Sequence, residues 1–232
     1  SLKGIKINIL MGRHAGWLTA ASTLGKSTEE DGPHLVYVPE KIFNIDSFVK
    51  EVKEVYDSLG RCLVAVSEGV HNEKGEYFLQ TYADKSGSGL AGKKDSHGNI
   101  QLSGSGALGD TLANIVSENI QGARVRADTF GYLQRSFLAD VSEVDADEAE
   151  RVGQHAVIAS KTENSGSIIL KRKLSEKYYC EVDLVELEMV AKNTKVMPKD
   201  FLDQNKPYVT NEFFEYAMPL TGGIEPKTQI FV

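Results

Sequence analysis

A chain of 232 residues, 41% of them hydrophobic, can bury one large core: a single α/β domain, or one domain carrying an elaborated insertion. Its 33 acidic residues outnumber the 26 basic ones, giving a net charge of −7. That balance excludes the broad basic surface a general nucleic-acid or anionic-membrane binder needs, while leaving room for a local basic pocket.

Cys62 and Cys180 stand far apart with no CxxC or Cys/His cluster, against a disulfide framework or a zinc site and in favour of reduced thiols in a cytoplasm. No run approaches the roughly 18 apolar residues of a membrane span, and no signal-peptide pattern opens the chain, so a soluble protein is expected. Because it begins Ser1-Leu2-Lys3 with no initiator methionine, it is expected to be a piece of something longer.

Ile5, Ile7 and Ile9 alternate with Lys6 and Asn8 before Leu10, which predicts a strand with one face better buried than the other. Met11-Gly12-Arg13-His14-Ala15-Gly16-Trp17-Leu18 then reads as a tight glycine turn, followed by a helix over 15–24. Glycines 12 and 16 allow close backbone approach, a helix N-terminus favours an anion, and Arg13 adds a positive charge beside it. A glycine turn of this kind also occurs in α/β domains that bind no phosphate. After a loop over 25–33 come a strand at 34–38 ended by Pro39, a helix over 46–59 capped by Gly60, and a third buried strand at 62–66. This alternation predicts an α/β fold with a three-layer, Rossmann-like, mainly parallel sheet, the ligand lying beyond the carboxyl ends of the strands. Met11-Gly12-Arg13 and Glu68 both fall there, although a lone Glu after a strand is ordinarily a solvated loop residue.

Residues 71–103 are polar and rich in Gly, Lys and Ser, with Tyr77, Phe78 and Leu79 as a brief apolar island, and read as an exposed insertion after the third strand. Gly87 to Lys93 fills the first seven places of a P-loop. However, Lys94 stands where Ser or Thr should hold magnesium and no buried strand precedes it, so Lys93 and Lys94 read as surface residues. Gly104 to Gly109 matches the dinucleotide fingerprint GxGxxG ahead of a helix over 110–119, with Asp128 at about the distance of a ribose contact. A dinucleotide-binding module is therefore a rival reading, on a weak signal. Next come a fourth strand at 124–130 and the block Gly131-Tyr132-Leu133-Gln134-Arg135-Ser136. Three arginines in twelve residues, 124, 126 and 135, are unusual in an acidic chain; a solvated strand edge is the plainer account, and guanidinium forks on phosphate the sharper one. Asp145 and Glu148 have capping-box spacing for a helix to about Ser160, which gives these acids a structural role. Two strands at 167–173 and 178–184, helices at 186–193 and 211–220, and a tail from 222 to 232 complete the chain, with no evident linker or repeat.

Four blocks in register carry a resemblance: MGRHAGW at 11–17, VAVSEG at 64–69, GYLQRS at 131–136 and VSEVD at 141–145. Together they resemble the phosphofructokinase family, most of all its pyrophosphate-dependent branch, from about Ile5 to about Leu220. The resemblance implies transfer of a phosphoryl group from pyrophosphate or ATP to the 1-hydroxyl of fructose 6-phosphate, in glycolysis, by a homodimer or homotetramer using magnesium. It makes Met11, Gly12, Arg13, Glu68, Tyr132, Leu133, Gln134 and Arg135 substrate-binding residues. Glu68 would contact sugar hydroxyls, Tyr132 and Arg135 the 6-phosphate, and Arg13 the transition-state charge, while Arg126 would reach into the neighbouring subunit's site.

The donor-binding Gly-Gly-Asp segment and the Thr-Ile-Asp-Asn-Asp segment with the base aspartate occur nowhere in these 232 residues. The chain thus matches the sugar-phosphate half, is expected to be inactive alone, and leaves magnesium mainly to the other half and the donor. Departures exist too. Ile9 stands where many members carry an acid, and Gly4 where many place a second intersubunit arginine. Tyr132, in place of the histidine of many ATP-dependent members, and Trp17 lean towards the pyrophosphate branch.

Overall fold

Alternating buried and half-buried residues along Gly4–Leu10 make the first strand, β1, with Ile5, Ile7 and Ile9 fully inside. The computed structural model describes residues 3–86, 106–162, 165–173, 175 and 177–224. Contacts divide the chain into two units, Ser1–Ser136 with Val196–Phe213, and Phe137–Lys195 with Phe214–Val232.

In the first unit, β1 is followed by α1 (Trp17–Ala21), β2 (Leu35–Tyr37), α2 (Ile45–Leu59), β3 (Arg61–Ser67), α3 (Phe78–Ser86), α4 (Ala107–Asn119), β4 (Val125–Thr129) and α5 (Leu133–Ser136). The four strands pair in the order β2-β3-β1-β4, all parallel. Ile5, Ile7 and Ile9 stand level with Cys62, Val64 and Val66, so one face presents a continuous apolar layer. Phe48 and Val52 of α2 and Leu112 and Val116 of α4 are buried against it. On the other face, α1 packs on β2 and β3, and Gly32 lies so close to Leu63 that a Cβ would come within 2.4 Å of its side chain. α2 ends at the expected Gly60 and begins one residue earlier than expected, on a cap at Asn44 that sequence reasoning missed. Asn44 accepts from the Ser47 N–H at 3.0 Å, and Gly60 closes the helix at φ +67°.

Some expectations need correction. α1 stops well short of residue 24, because the Ser22 and Thr23 hydroxyls bond back to the carbonyls of Thr19 and Ala20 at 2.6 and 2.7 Å, an arrangement that competes with further helix. Nor is the stretch from 71 simply an exposed insertion. Phe78, Leu79 and Ala83 of α3 are buried, with the Phe78 ring 5.0 Å from Phe43. Residues 87–105, including Lys93 and Lys94, lie outside the described residues.

The second unit holds α6 (Glu143–Ala159), the antiparallel pair β5 (Ser167–Arg172) and β6 (Cys180–Val185), and α7 (Leu187–Val190). The N-cap of α6 is Ser142, whose hydroxyl accepts from the Asp145 N–H at 3.2 Å, three residues ahead of the expected box. Glu148 is instead a buried acid that accepts from the Tyr178 hydroxyl at 2.8 Å, in keeping with a structural role. α8 (Asn211–Ala217) gives way to a 3-10 turn over Met218–Thr221, where Pro219 cannot supply the N–H a longer α-helix needs.

Candidate functional site

Three loops meet at the carboxyl ends of adjacent strands. Met11–Arg13 follow β1, Glu68 and Gly69 follow β3, and Gly131–Ser136 follow β4; Leu10 stands level with Ser67, and Ile9 with Thr129, so the ends are flush. The turns after β1 and β3 interlock. The Ser67 hydroxyl donates to the Gly12 carbonyl at 2.5 Å, the Gly69 N–H donates to the same oxygen at 3.2 Å, and the Glu68 N–H donates to Leu10 at 3.0 Å. Glycine is obligatory at two of these positions. Gly12 has φ +155° and a Cβ there would fall 2.6 Å from the Ala15 carbonyl oxygen, while a Cβ on Gly69 would fall 2.0 Å from that of Arg13.

The helix N-terminus after the turn already has its anion. Both oxygens of Glu40 accept from the Gly16 N–H at 3.1 Å, and Oε1 also accepts from Met197 N–H at 3.0 Å. The anion expected at this helix end is therefore an internal carboxylate, which the partial positive charge there stabilises. Trp17 packs edge-on against Phe201, at 6.1 Å between centroids.

Glu68 is only 8% exposed, and burial pushes its carboxyl above the usual range; the Gly12 N–H, Arg13 and Arg135 oppose that shift. The Gly12 N–H lies 3.5 Å from Glu68 Oε1. The Arg135 guanidinium sits over the Tyr132 ring at 5.5 Å. Gln134 joins the first and third loops, donating to Met11 Sδ at 3.4 Å and to the Gly131 carbonyl at 3.1 Å. Tyr132 and Leu133 are each 56% exposed. The structure thus brings Met11, Gly12, Arg13, Glu68, Tyr132, Gln134 and Arg135 to one end of the sheet, with Leu133 beside them.

Arg126 does not join this cluster. It lies in mid-strand, level with Lys6 and exposed, on the face where Lys6 pairs with Asp128. That pair also answers the dinucleotide reading. Asp128 points away from α4, whereas Gly109 packs so tightly against β4 and β1 that a Cβ would lie 3.1 Å from Ala127 and 3.2 Å from Ile9. In the described part of the fingerprint, Gly106 caps α4 at φ +68° and Gly109 serves helix-to-sheet contact. Two residues near the site gave no sequence signal. Tyr77 reads only as part of the short apolar island at 77–79 and Glu40 follows Pro39 as an ordinary loop acid, yet the first lies within electrostatic reach of Arg13 and Glu68 and the second holds the turn. Among the described residues there is no group of three or more His, Cys, Asp or Glu side chains able to hold a metal ion.

The family model for phosphofructokinase matches residues 1–160. The chain is 47% identical over 223 residues to the pyrophosphate–fructose 6-phosphate 1-phosphotransferase of Rhodospirillum rubrum, covering 96% of this chain and 53% of that protein. Against the enzyme of the same name from Halomonas elongata it is 33% identical, over 92% of this chain and 48% of that one. Its fold is similar to a crystal structure of pyrophosphate-dependent phosphofructokinase from Nitrosospira multiformis, with TM-score 0.75, 28% identity, and coverage of 96% of this chain and 49% of that one. The chain spans about half the length of these relatives. With its three site loops in the matched region and the likeness running almost end to end, the chain belongs to the phosphofructokinase family.

Proposed function

We propose that this chain is the fructose 6-phosphate-binding part of a 6-phosphofructokinase that takes its phosphoryl group from pyrophosphate. The observation that carries the reading is the convergence of Arg13, buried Glu68 and the Tyr132–Arg135 pair at the carboxyl ends of β1, β3 and β4. The names of the relatives support the substrate and the donor.

Each residue has a chemical task in this reading. Arg135 offers a guanidinium fork to the 6-phosphate, and the Tyr132 ring beneath it keeps that fork in place. Gly12 lets the backbone approach the sugar, while Met11, Leu133 and Gln134 shape the wall. Glu68 accepts from sugar hydroxyls once ionised. Arg13 faces the reacting end, where charge builds on the transferred group. In the reaction the 1-hydroxyl oxygen forms a bond to phosphorus as the bridging P–O bond of pyrophosphate breaks. Orthophosphate leaves, fructose 1,6-bisphosphate forms, and the hydroxyl proton passes to a base outside this chain. Magnesium in the whole enzyme would be held by the donor and the other half.

Arg126, exposed and remote from its own chain's cluster, is proposed to serve a neighbouring subunit in a homodimer or homotetramer. The two cysteines, both buried and unpaired, suit a cytoplasmic location. The test is to assay the full-length parent with fructose 6-phosphate and either pyrophosphate or ATP, beside the 232-residue chain alone. Fructose 1,6-bisphosphate should form from pyrophosphate with the parent only. Turnover by the chain alone, or a parent that uses ATP and not pyrophosphate, would contradict the proposal.

A further inference from the structure

The loop that starts at Glu68 after β3 folds back on itself as a tight hairpin. The Asn72 side chain accepts from the N–H groups of Lys74 and Glu76 at 2.9 and 3.1 Å, and Gly75 turns at φ +76°. His71 and Tyr77 then pair across the hairpin, and the Phe78 N–H donates to the Val70 carbonyl at 3.0 Å. Phe78 anchors this return in the core between Phe43 and Tyr82, at 5.0 and 5.7 Å between ring centroids. The register leaves Tyr77 half-buried, with its phenol in electrostatic reach of both Arg13 and Glu68. Among the described residues that hydroxyl has no hydrogen-bond partner.

Resting on the site reading above, we propose that Tyr77 is a further substrate-contacting residue. Its phenol, carried half-buried on the hairpin that springs from the Glu68 loop, hydrogen-bonds a hydroxyl of the bound ketohexose phosphate. A phenyl ring would fill the same space, as Phe78 does next door, so it is the hydroxyl that requires a role. Burial and Glu68 push the phenol above its usual range against the pull of Arg13, which keeps it protonated and able to donate. A neutral donor beside an acceptor carboxylate suits a sugar hydroxyl, which both gives and takes a hydrogen bond, better than it suits a phosphate dianion.

The test is calorimetric titration of the 232-residue chain and its Tyr77→Phe and Tyr77→Gln variants with fructose 6-phosphate and, separately, inorganic phosphate. Tyr77→Phe should weaken fructose 6-phosphate about fivefold, in the range of one neutral hydrogen bond, and leave phosphate within about twofold. Tyr77→Gln, which loses the ring but keeps a donor, should bind the sugar at least as well as Tyr77→Phe; a merely structural ring would give the reverse order. Unchanged sugar affinity in Tyr77→Phe, with binding by the unmodified chain intact, would overturn the role of Tyr77 alone. No binding of the sugar by the unmodified chain would overturn the site reading, and this assignment with it.

Discussion

Glu40 grips the backbone of Gly16 with both carboxylate oxygens at 3.1 Å while one of them also takes the N–H of Met197 at 3.0 Å. A single side chain thereby ties the turn after β1 to the segment beginning at Val196. Glu40→Ala leaves both N–H groups without their acceptor. Chemical unfolding should show a loss of about 2–4 kcal/mol, since each unsatisfied donor costs roughly 1–3 kcal/mol. Glu40→Gln keeps one acceptor oxygen and should recover part of that loss. An unchanged unfolding midpoint for Glu40→Ala would show that the clamp contributes little.

Gly69 is where the site tolerates least. A methyl group there would stand 2.0 Å from the Arg13 carbonyl oxygen, so the turns after β1 and β3 would have to part. Gly69→Ala should lose roughly 1–3 kcal/mol of stability as an overpacked position, and lose fructose 6-phosphate binding more completely than it loses folding. Gly75→Ala tests the contrast. That glycine has no atom within 4 Å of an added Cβ, though its φ of +76° adds backbone strain, so binding there should largely survive.

The buried carboxyl of Glu68 gives a pH signature. Its value is raised above the usual 4.5, burial outweighing the Gly12 N–H and the two arginines. Between the usual and the raised value the folded chain therefore holds more protons than the unfolded chain, and the contribution of Glu68 to stability falls as pH rises through that window. The stability of the unmodified chain minus that of Glu68→Gln should shrink over the same pH series. A difference that grows with pH would mean that Arg13 and Arg135 outweigh burial.

Arg126 and Arg135 lie on the same strand-and-loop segment, yet only Arg135 reaches its own chain's cluster. If Arg126 serves a neighbour, full-length Arg126→Ala and Arg135→Ala proteins should each be nearly inactive and regain activity when mixed and allowed to exchange subunits. A mixed dimer restores one intact site from a good Arg126 on one subunit and a good Arg135 on the other. Exchange without recovered activity would return Arg126 to its own subunit's surface.

The strands of the sheet were legible because burial imposes period-2 alternation at Ile5–Leu10 and a continuous apolar run at Cys62–Val66. The placement of Met11–Arg13 and Glu68 followed from parallel topology, since loops at carboxyl ends converge whatever their composition. Three features were not legible. The occupant of the α1 N-terminus depends on Glu40, 24 residues away. α3 enters the core through Phe78, Leu79 and Ala83, a short apolar set that the polar residues around it outweigh in any window average. The cap of α6 is Ser142 because the helix begins earlier than the first well-spaced acid pair suggests. Each of these turns on a contact distant in sequence or on one residue's geometry, which periodicity does not record.

The most direct test of the central claim is a pair of calorimetric titrations of the 232-residue chain, one with fructose 6-phosphate and one with NAD. Saturable binding of the sugar phosphate that is lost in Arg135→Ala, with no heat from NAD, is the predicted result. Binding of NAD without fructose 6-phosphate would contradict the sugar-phosphate site and restore the dinucleotide reading of Gly104 to Gly109.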